Sequence, residues 1–128
     1  MTEQAVQPIR PAATVIIARA AASGGAPEIF MLRRTSRAAF AGGMYVFPGG
    51  RVDSDDHLHK YDAYRHGPDE AQLLQQQALG SEWRGYWIAG IRETFEEAGL
   101  LLAYTDSGQL LRFDENNEAR FDSYRHQV

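Results

Sequence analysis

Apolar and polar positions fall in blocks along the chain, and each block predicts an element. Ala12 to Ala18 is an uninterrupted run, β-branched at Thr14, Val15, Ile16 and Ile17, which predicts a buried strand. The cluster Ala22-Ser23-Gly24-Gly25-Ala26-Pro27 predicts a turn, and Glu28 to Arg33 a second strand, so the two form a hairpin. Arg34 to Gly43 is polar or small and reads as a loop. Met44 to Phe47 reads as a short extended piece stopped by Pro48-Gly49-Gly50, and Arg51 to His66 as a polar stretch. A helix is expected from near Pro68, with Asp69 and Glu70 at its positive end, through Ala71 to Ala78 and stopping at Gly80. A second helix, with Ser81 as N-cap, carries Trp83, Trp87, Ile88, Ile91, Phe95 and Ala98 at intervals mostly of three and four. That stripe predicts one buried face from about Glu82 to Ala98, closed by Gly99. Leu100 to Tyr104 and Gln109 to Phe113 read as strands around the turn Asp106-Ser107-Gly108, and the polar tail Asp114 to Val128 as a short helix.

The 128 residues fit one domain, and 44% hydrophobic content is enough for a core without covalent staples. Thirteen Lys and Arg against seventeen Asp and Glu leave a net charge of −4, which argues against duplex nucleic acid as a partner. The absence of cysteine excludes disulfide frameworks, thiolate zinc sites and cysteine nucleophiles, and fits a reducing cytoplasm, the expected location. Met1 to Arg10 carries Glu3, Gln4 and Gln7 where an export signal needs an apolar run. The apolar stretch Ala12 to Ala22 is broken by Arg19 and falls short of the ~20 residues of a spanning helix, so no membrane partner is expected.

The informative segment is Arg92-Glu93-Thr94-Phe95-Glu96-Glu97-Ala98-Gly99-Leu100. On a helix, Glu93 and Glu97 lie one above the other and Glu96 shares their face, away from Trp87, Ile91 and Phe95. Like charges so placed destabilise a helix by about a few tenths of a kcal/mol per pair, so a counter-charge is expected. A hard divalent cation with oxygen ligands is the natural one, and Mg²⁺ binds substrate phosphates beside a few carboxylates. The plainer alternative is a solvated acidic face with Arg92 in surface pairs. The glycine-rich turn upstream and Gly99 downstream weigh against it.

With those residues in place the sequence resembles the Nudix hydrolases, whose signature reads G-x5-E-x7-R-E-U-x-E-E-x-G-U. Arg92, Glu93, Glu96, Glu97, Gly99 and Leu100 match its second half, with Thr94 at the first U position. In the first half, Gly50 followed by five residues reaches Asp56, an acidic stand-in for the glutamate. Thirty-five residues separate Asp56 from Arg92 where the signature has seven, an insertion of about residues 57–84. With Phe47-Pro48-Gly49-Gly50 as the entry, this resembles the coenzyme A diphosphatase-like branch, whose upstream pattern is L-L-T-x-R-[SA]-x3-R-x3-G-x3-F-P-G-G. Arg34 and Gly43 match that pattern, while Leu32 stands for its Thr, Thr35 for Ser or Ala, and Ala39 for its second Arg. The resemblance covers roughly residues 12–103.

The resemblance implies an α/β fold, a mixed sheet flanked by helices in an α/β/α sandwich, with the family's C-terminal part short or absent in this single domain of residues 1–128. It implies metal-dependent hydrolysis of a nucleoside diphosphate linked to another moiety, with coenzyme A or acyl-CoA the leading substrate. Glu93, Glu96 and Glu97 would hold Mg²⁺ or Mn²⁺, and Arg92 would orient a glutamate through a charge-assisted contact. Gly49 and Gly50 would let the backbone approach metal and diphosphate, as only glycine permits. Arg33, Arg34 and Arg37 could meet phosphates, solvated loop arginines being the alternative. His57, His59 and His66 read as surface histidines rather than ligands, and Trp83 and Trp87 as core rather than base-stacking platforms. A noncatalytic Nudix-like nucleotide-binding or regulatory module is the rival from another class, and a purely structural acidic helix the remote third. The short C-terminal portion predicts uncovered strand edges and hence a homo-oligomer.

Overall fold

The β-branched run from Ala12 is extended, but it serves two partners in turn. In the computed structural model, which describes residues 8–35, 42–67 and 69–126, it is divided into β1 (Ala12–Thr14) and β2 (Ala18–Arg19). The division falls where hydrogen bonding changes sides: Val15 N donates to the Pro48 carbonyl at 2.9 Å, while the Ile17 carbonyl accepts from Phe30 N at 2.9 Å. Beyond the change, β2 pairs with β3 (Glu28–Ile29) as the expected hairpin, and Arg19 forks onto Glu28 at 2.8 and 3.1 Å. β4 (Leu32–Arg33) then pairs with β5 (Tyr45–Val46), in register Leu32↔Val46 and Arg33↔Tyr45.

Three residues later the chain is back beside β1. β6 (Gly49–Arg51) pairs antiparallel with it, Ala13 opposite Gly50 and Thr14 opposite Gly49. Phe47 and Pro48 make the transfer between partners, and Pro48 is fully buried there. A proline suits that place because it has no N–H to leave unpaired. The consequence for the site is positional: Gly49 and Gly50 are set into a short ladder instead of a free loop.

All three strand pairs among the described residues are antiparallel and two-stranded. The α/β class holds, whereas the single mixed sheet of a sandwich is replaced here by three short ladders. The residues expected as strands at 100–104 and 109–113 form one bridge, Tyr104↔Leu110. The helices are closer to expectation. α1 (Glu70–Leu79) is capped by Asp69, which accepts from Gln72 N at 2.9 Å while Gln72 Oε1 accepts from Asp69 N at 2.8 Å. Pro68, expected to start this helix, lies outside the described residues. α2 (Trp83–Ala98) ends at Gly99 in the left-handed conformation, as its sequence requires. Its start differs: Ser81 is no N-cap but part of a 3-10 turn, Gly80–Glu82, that runs straight into the helix. α3 (Glu118–Arg125) forms in the polar tail. No helix among the described residues is long and apolar enough to cross a membrane.

The buried face of α2 is not the large-residue stripe. Gly85, Ala89, Gly90 and Thr94 are its buried positions, and the tryptophans, Ile88, Ile91 and Phe95 flank them half-buried. The reason is close approach: a Cβ at Gly90 would lie 3.1 Å from Val15 Cγ2 and 3.8 Å from Ala13 Cβ, so side chains of the run from Ala12 pack directly on the helix backbone. The inserted segment follows the N-terminal half of α2. The 3-10 turn that leads into this segment, Ser54–His57, lays the His57 ring on Gly85, and the next, His59–Tyr64, places Asp62 in a two-pronged pair with Arg84 at 2.8 and 2.9 Å.

Candidate functional site

Arg92 is the hub on which the C-terminal half of α2 is organised. Its Nε and Nη2 each donate at 2.9 Å to the two oxygens of Asp56, a carboxylate only 3% exposed. Nη2 also reaches the Arg51 carbonyl at 3.0 Å, which ties the helix to β6. Nη1 donates to Glu93 Oε1 at 3.1 Å and to Glu96 Oε1 at 3.2 Å. Asp56 is held in place by its own turn, accepting from Asp53 N at 2.7 Å. A guanidinium surrounded by carboxylates is kept charged, and hydrogen bonding to Asp56 pushes the Arg92 pKa further above its usual value despite partial burial.

Glu93 and Glu97 stand on the other side of this hub, against the glycine turn. The Glu93 carboxylate occupies the space a side chain at Gly50 would need: a Cβ there would come within 2.6 and 2.7 Å of its two oxygens. Gly49 has φ +156, and a Cβ on it would strike the Ala13 carbonyl, so neither glycine is replaceable for the same reason. The Gly49 backbone lies near enough to favour the charged form of Glu97. Even so, the Glu97 carboxyl is pushed above the usual range, first by partial burial and next by the charge of Glu93, with Arg34 pulling in the opposite direction. Arg34 is thereby placed in the electrostatic field of the pair, with its backbone fixed by the bond from Arg34 N to the Met44 carbonyl at 2.9 Å.

Whether these residues suit a divalent cation is a question of geometry and charge. Among the described residues no three acidic or imidazole groups stand as a ready-made cage. Glu96 and Glu93 both accept from Arg92 Nη1, at 3.2 and 3.1 Å. Glu93 and Glu97 suit one: Glu93 fills the space a Cβ at Gly50 would take, and its charge raises the cost of ionising Glu97 one helical turn on. That arrangement is the one a hard cation relieves.

Sequence reasoning named Asp56 as a motif position but gave it no partner; its contact with Arg92 spans 36 residues and carries no local signal. It missed Arg125 altogether, whose Nε and Nη2 donate to the carbonyls of Glu96 and Glu97 at 2.9 and 2.8 Å. The histidines are peripheral, as expected: His57 pairs with Glu82 at 3.4 Å and His59 with Asp62 at 3.7 Å. Arg33 lies over the Tyr45 ring at 5.9 Å. Arg37 and Ala39 fall outside the described residues.

No family model matches the chain. Individual proteins do. An acyl-coenzyme A diphosphatase, NUDT19 of Gallus gallus, is 35% identical over 121 residues, covering 73% of this chain and 32% of that protein. A NUDIX hydrolase from Alicyclobacillus acidocaldarius shares the fold, with a TM-score of 0.61 over 93% of this chain and 51% of that one, at 24% identity. In sequence and in fold the chain is similar to Nudix hydrolases. A second acyl-coenzyme A diphosphatase NUDT19, from Xenopus laevis, is 26% identical over 127 residues, covering 79% of this chain and 33% of its own. The chain spans about a third of the length of the curated relatives it matches and about half of the solved structure. Within it, Gly50, Asp56, Arg92 and Glu93, split in sequence by the insertion, form one connected set of contacts.

Proposed function

We propose that this chain hydrolyses the diphosphate linkage of a nucleoside diphosphate derivative of the coenzyme A type, using Mg²⁺ or Mn²⁺ held by Glu93 and Glu97. The observation that carries the reading is the Glu93 carboxylate seated over Gly50, its charge raising the cost of ionising Glu97 one helical turn on. The two curated relatives named acyl-coenzyme A diphosphatase support the substrate class. When bound, the metal neutralises charge on the diphosphate and makes an attacking water more acidic.

The chain's own residues do the rest. Arg92 holds the Glu93 carboxylate through Nη1 and is itself fixed by Asp56, so Glu93 is oriented before any ligand arrives. The Gly49 backbone favours the charged form of Glu97, and the glycine turn leaves room for a diphosphate to approach the backbone. Arg34, in the field of Glu97, supplies positive charge suited to a phosphate oxygen. A carboxylate of the pair accepts the proton of the attacking water. Glu96 balances Arg92 and contributes negative charge near Glu97.

Replacing Glu93 or Glu97 with Gln keeps size and helix propensity while removing the charge. Phosphomonoester release from an acyl-CoA in the presence of Mg²⁺, followed chromatographically, should fall at least about a hundredfold in either variant. The melting temperature of the metal-free protein should hold or rise. Full turnover in both variants would refute the assignment.

A further inference from the structure

The last turn of α2 is where the metal reading places one of its ligands, Glu97, and it is the least favourable place in a helix for acidic residues. Helix C-termini carry partial negative charge and leave their final carbonyls without intrahelical partners. α2 supplies no basic residue in its last turn, while Glu96 and Glu97 both lie there. The Phe95 carbonyl is taken by the Gly99 N–H at 2.9 Å. The next two are taken from outside the helix, by one guanidinium: Arg125 Nε donates to Glu96 O at 2.9 Å and Nη2 to Glu97 O at 2.8 Å.

Gly99 clears the way for this contact, since a Cβ there would lie 3.2 Å from Arg125 Nη1. α3 carries the arginine to its place, anchored by Phe121, which stacks on Phe113 at 5.0 Å between ring centres. We propose that Arg125 is a positioning residue for the Glu93–Glu97 pair. By fixing the carbonyls of the last turn it holds the Glu97 backbone at one height opposite Gly49, so the two carboxylates are offered to a divalent cation at a constant separation. The proposal rests on the metal reading given above. It goes beyond it by making α3, which contributes no ligand, a condition of tight metal binding.

The test is Mn²⁺ titration of the metal-free protein, with free Mn²⁺ read by electron paramagnetic resonance well below the melting temperature and without substrate. R125M keeps the aliphatic stem and removes the donors; R125K keeps the charge and loses the two-pronged fork. R125M should bind Mn²⁺ about ten- to a hundredfold more weakly than the parent, the usual effect of losing a group that orients a ligand. R125K should fall between the two. A merely structural arginine would lower the melting temperature and leave the affinity of the folded protein unchanged. Folded R125M with the parent's affinity, while E97Q still weakens binding, overturns the proposal and leaves the metal reading standing. Should R125M not fold, parity of R125K with the parent overturns it in the same way. If E97Q binds Mn²⁺ as the parent does, the metal reading fails and this proposal fails with it.

Discussion

The two glycines of the turn should fail differently when each gains one methyl group. At Gly50 the new Cβ meets the Glu93 carboxylate at 2.6 Å, and ordinary contact needs about 3.5 Å, so the carboxylate must retreat by about 1 Å. Gly50 is not among the positive-φ glycines, so its backbone accepts alanine, and reduced freedom of the unfolded chain returns about 0.4–1 kcal/mol. Against that stand an off-rotamer Glu93, about 0.5–1.5 kcal/mol, and a weakened bond to Arg92. G50A should therefore lose about 1 kcal/mol, or about 4 °C in melting temperature for a domain of this size. Function should suffer far more, because a 1 Å misplacement of a reacting group costs about a hundredfold. G49A inverts the balance. Its methyl meets the Ala13 carbonyl and lies 2.9 Å from Thr14 Cα, both rigid backbone, at a φ of +156 that only glycine adopts readily. Strain and overpacking together cost about 3 kcal/mol or more, and the β1–β6 ladder should open. Scanning fluorimetry beside Mn²⁺ affinity and acyl-CoA turnover separates the two. G50A with parental affinity and turnover, or with a stability loss equal to that of G49A, would refute the reasoning.

Other perturbations have equally definite signs. Because the Glu97 carboxyl is raised in the fold, the native state binds its proton more readily than the unfolded chain does. Stability of the metal-free protein should thus rise as pH falls through that raised value; E97Q should abolish the rise and be more stable at neutral pH by about a few tenths of a kcal/mol, measured by urea unfolding across pH. R92A strands the buried Asp56 without its two-pronged partner and should cost about 3 kcal/mol, with R92K recovering only part; a loss under about 1 kcal/mol in R92A would mean Asp56 is satisfied elsewhere. In G85A the new methyl falls inside the His57 ring, so about 1–3 kcal/mol should be lost and the His57 resonance should shift, while Mn²⁺ affinity stays level.

Legibility in the sequence followed the range of the interactions. α2 was readable because its periodic apolar residues and Gly99 are local signals, yet the same signals pointed to the wrong buried face. Large residues at Trp83, Trp87 and Phe95 advertise burial, but close approach selects Gly85 under the His57 ring and Gly90 under Val15. The start of α1 was encoded in Asp69-x-x-Gln72, a reciprocal cap that the proline beside it obscured. The split of the first strand depends on which partner each amide finds, and no residue between Val15 and Ile17 announces it. At the site, the acidic pair could be named from its helical spacing, and the glycines from the resemblance of their segment to the Nudix signature. The collision between Gly50 and Glu93, the fork from Arg92 to Asp56 and the cap from Arg125 join residues 28 to 43 positions apart.

The fork between Asp56 and Arg92 also makes the chain between them a place for grafting. Loop-closure entropy grows only with the logarithm of length, so a connection of thirty-five residues instead of seven costs about 1.4 kcal/mol, less than loss of that fork. The connection is pinned again where Asp62 grips Arg84 and where Arg65 lies over the Trp83 ring at 4.9 Å, and the stretch from there to Asp69 leads into α1. Foreign peptide spliced into that stretch would ride on the N-terminal half of α2, with the carboxylates about two turns or more away undisturbed. The fold thus works as a chassis with an open port, in which recognition elements can be exchanged while the acidic pair keeps its seat.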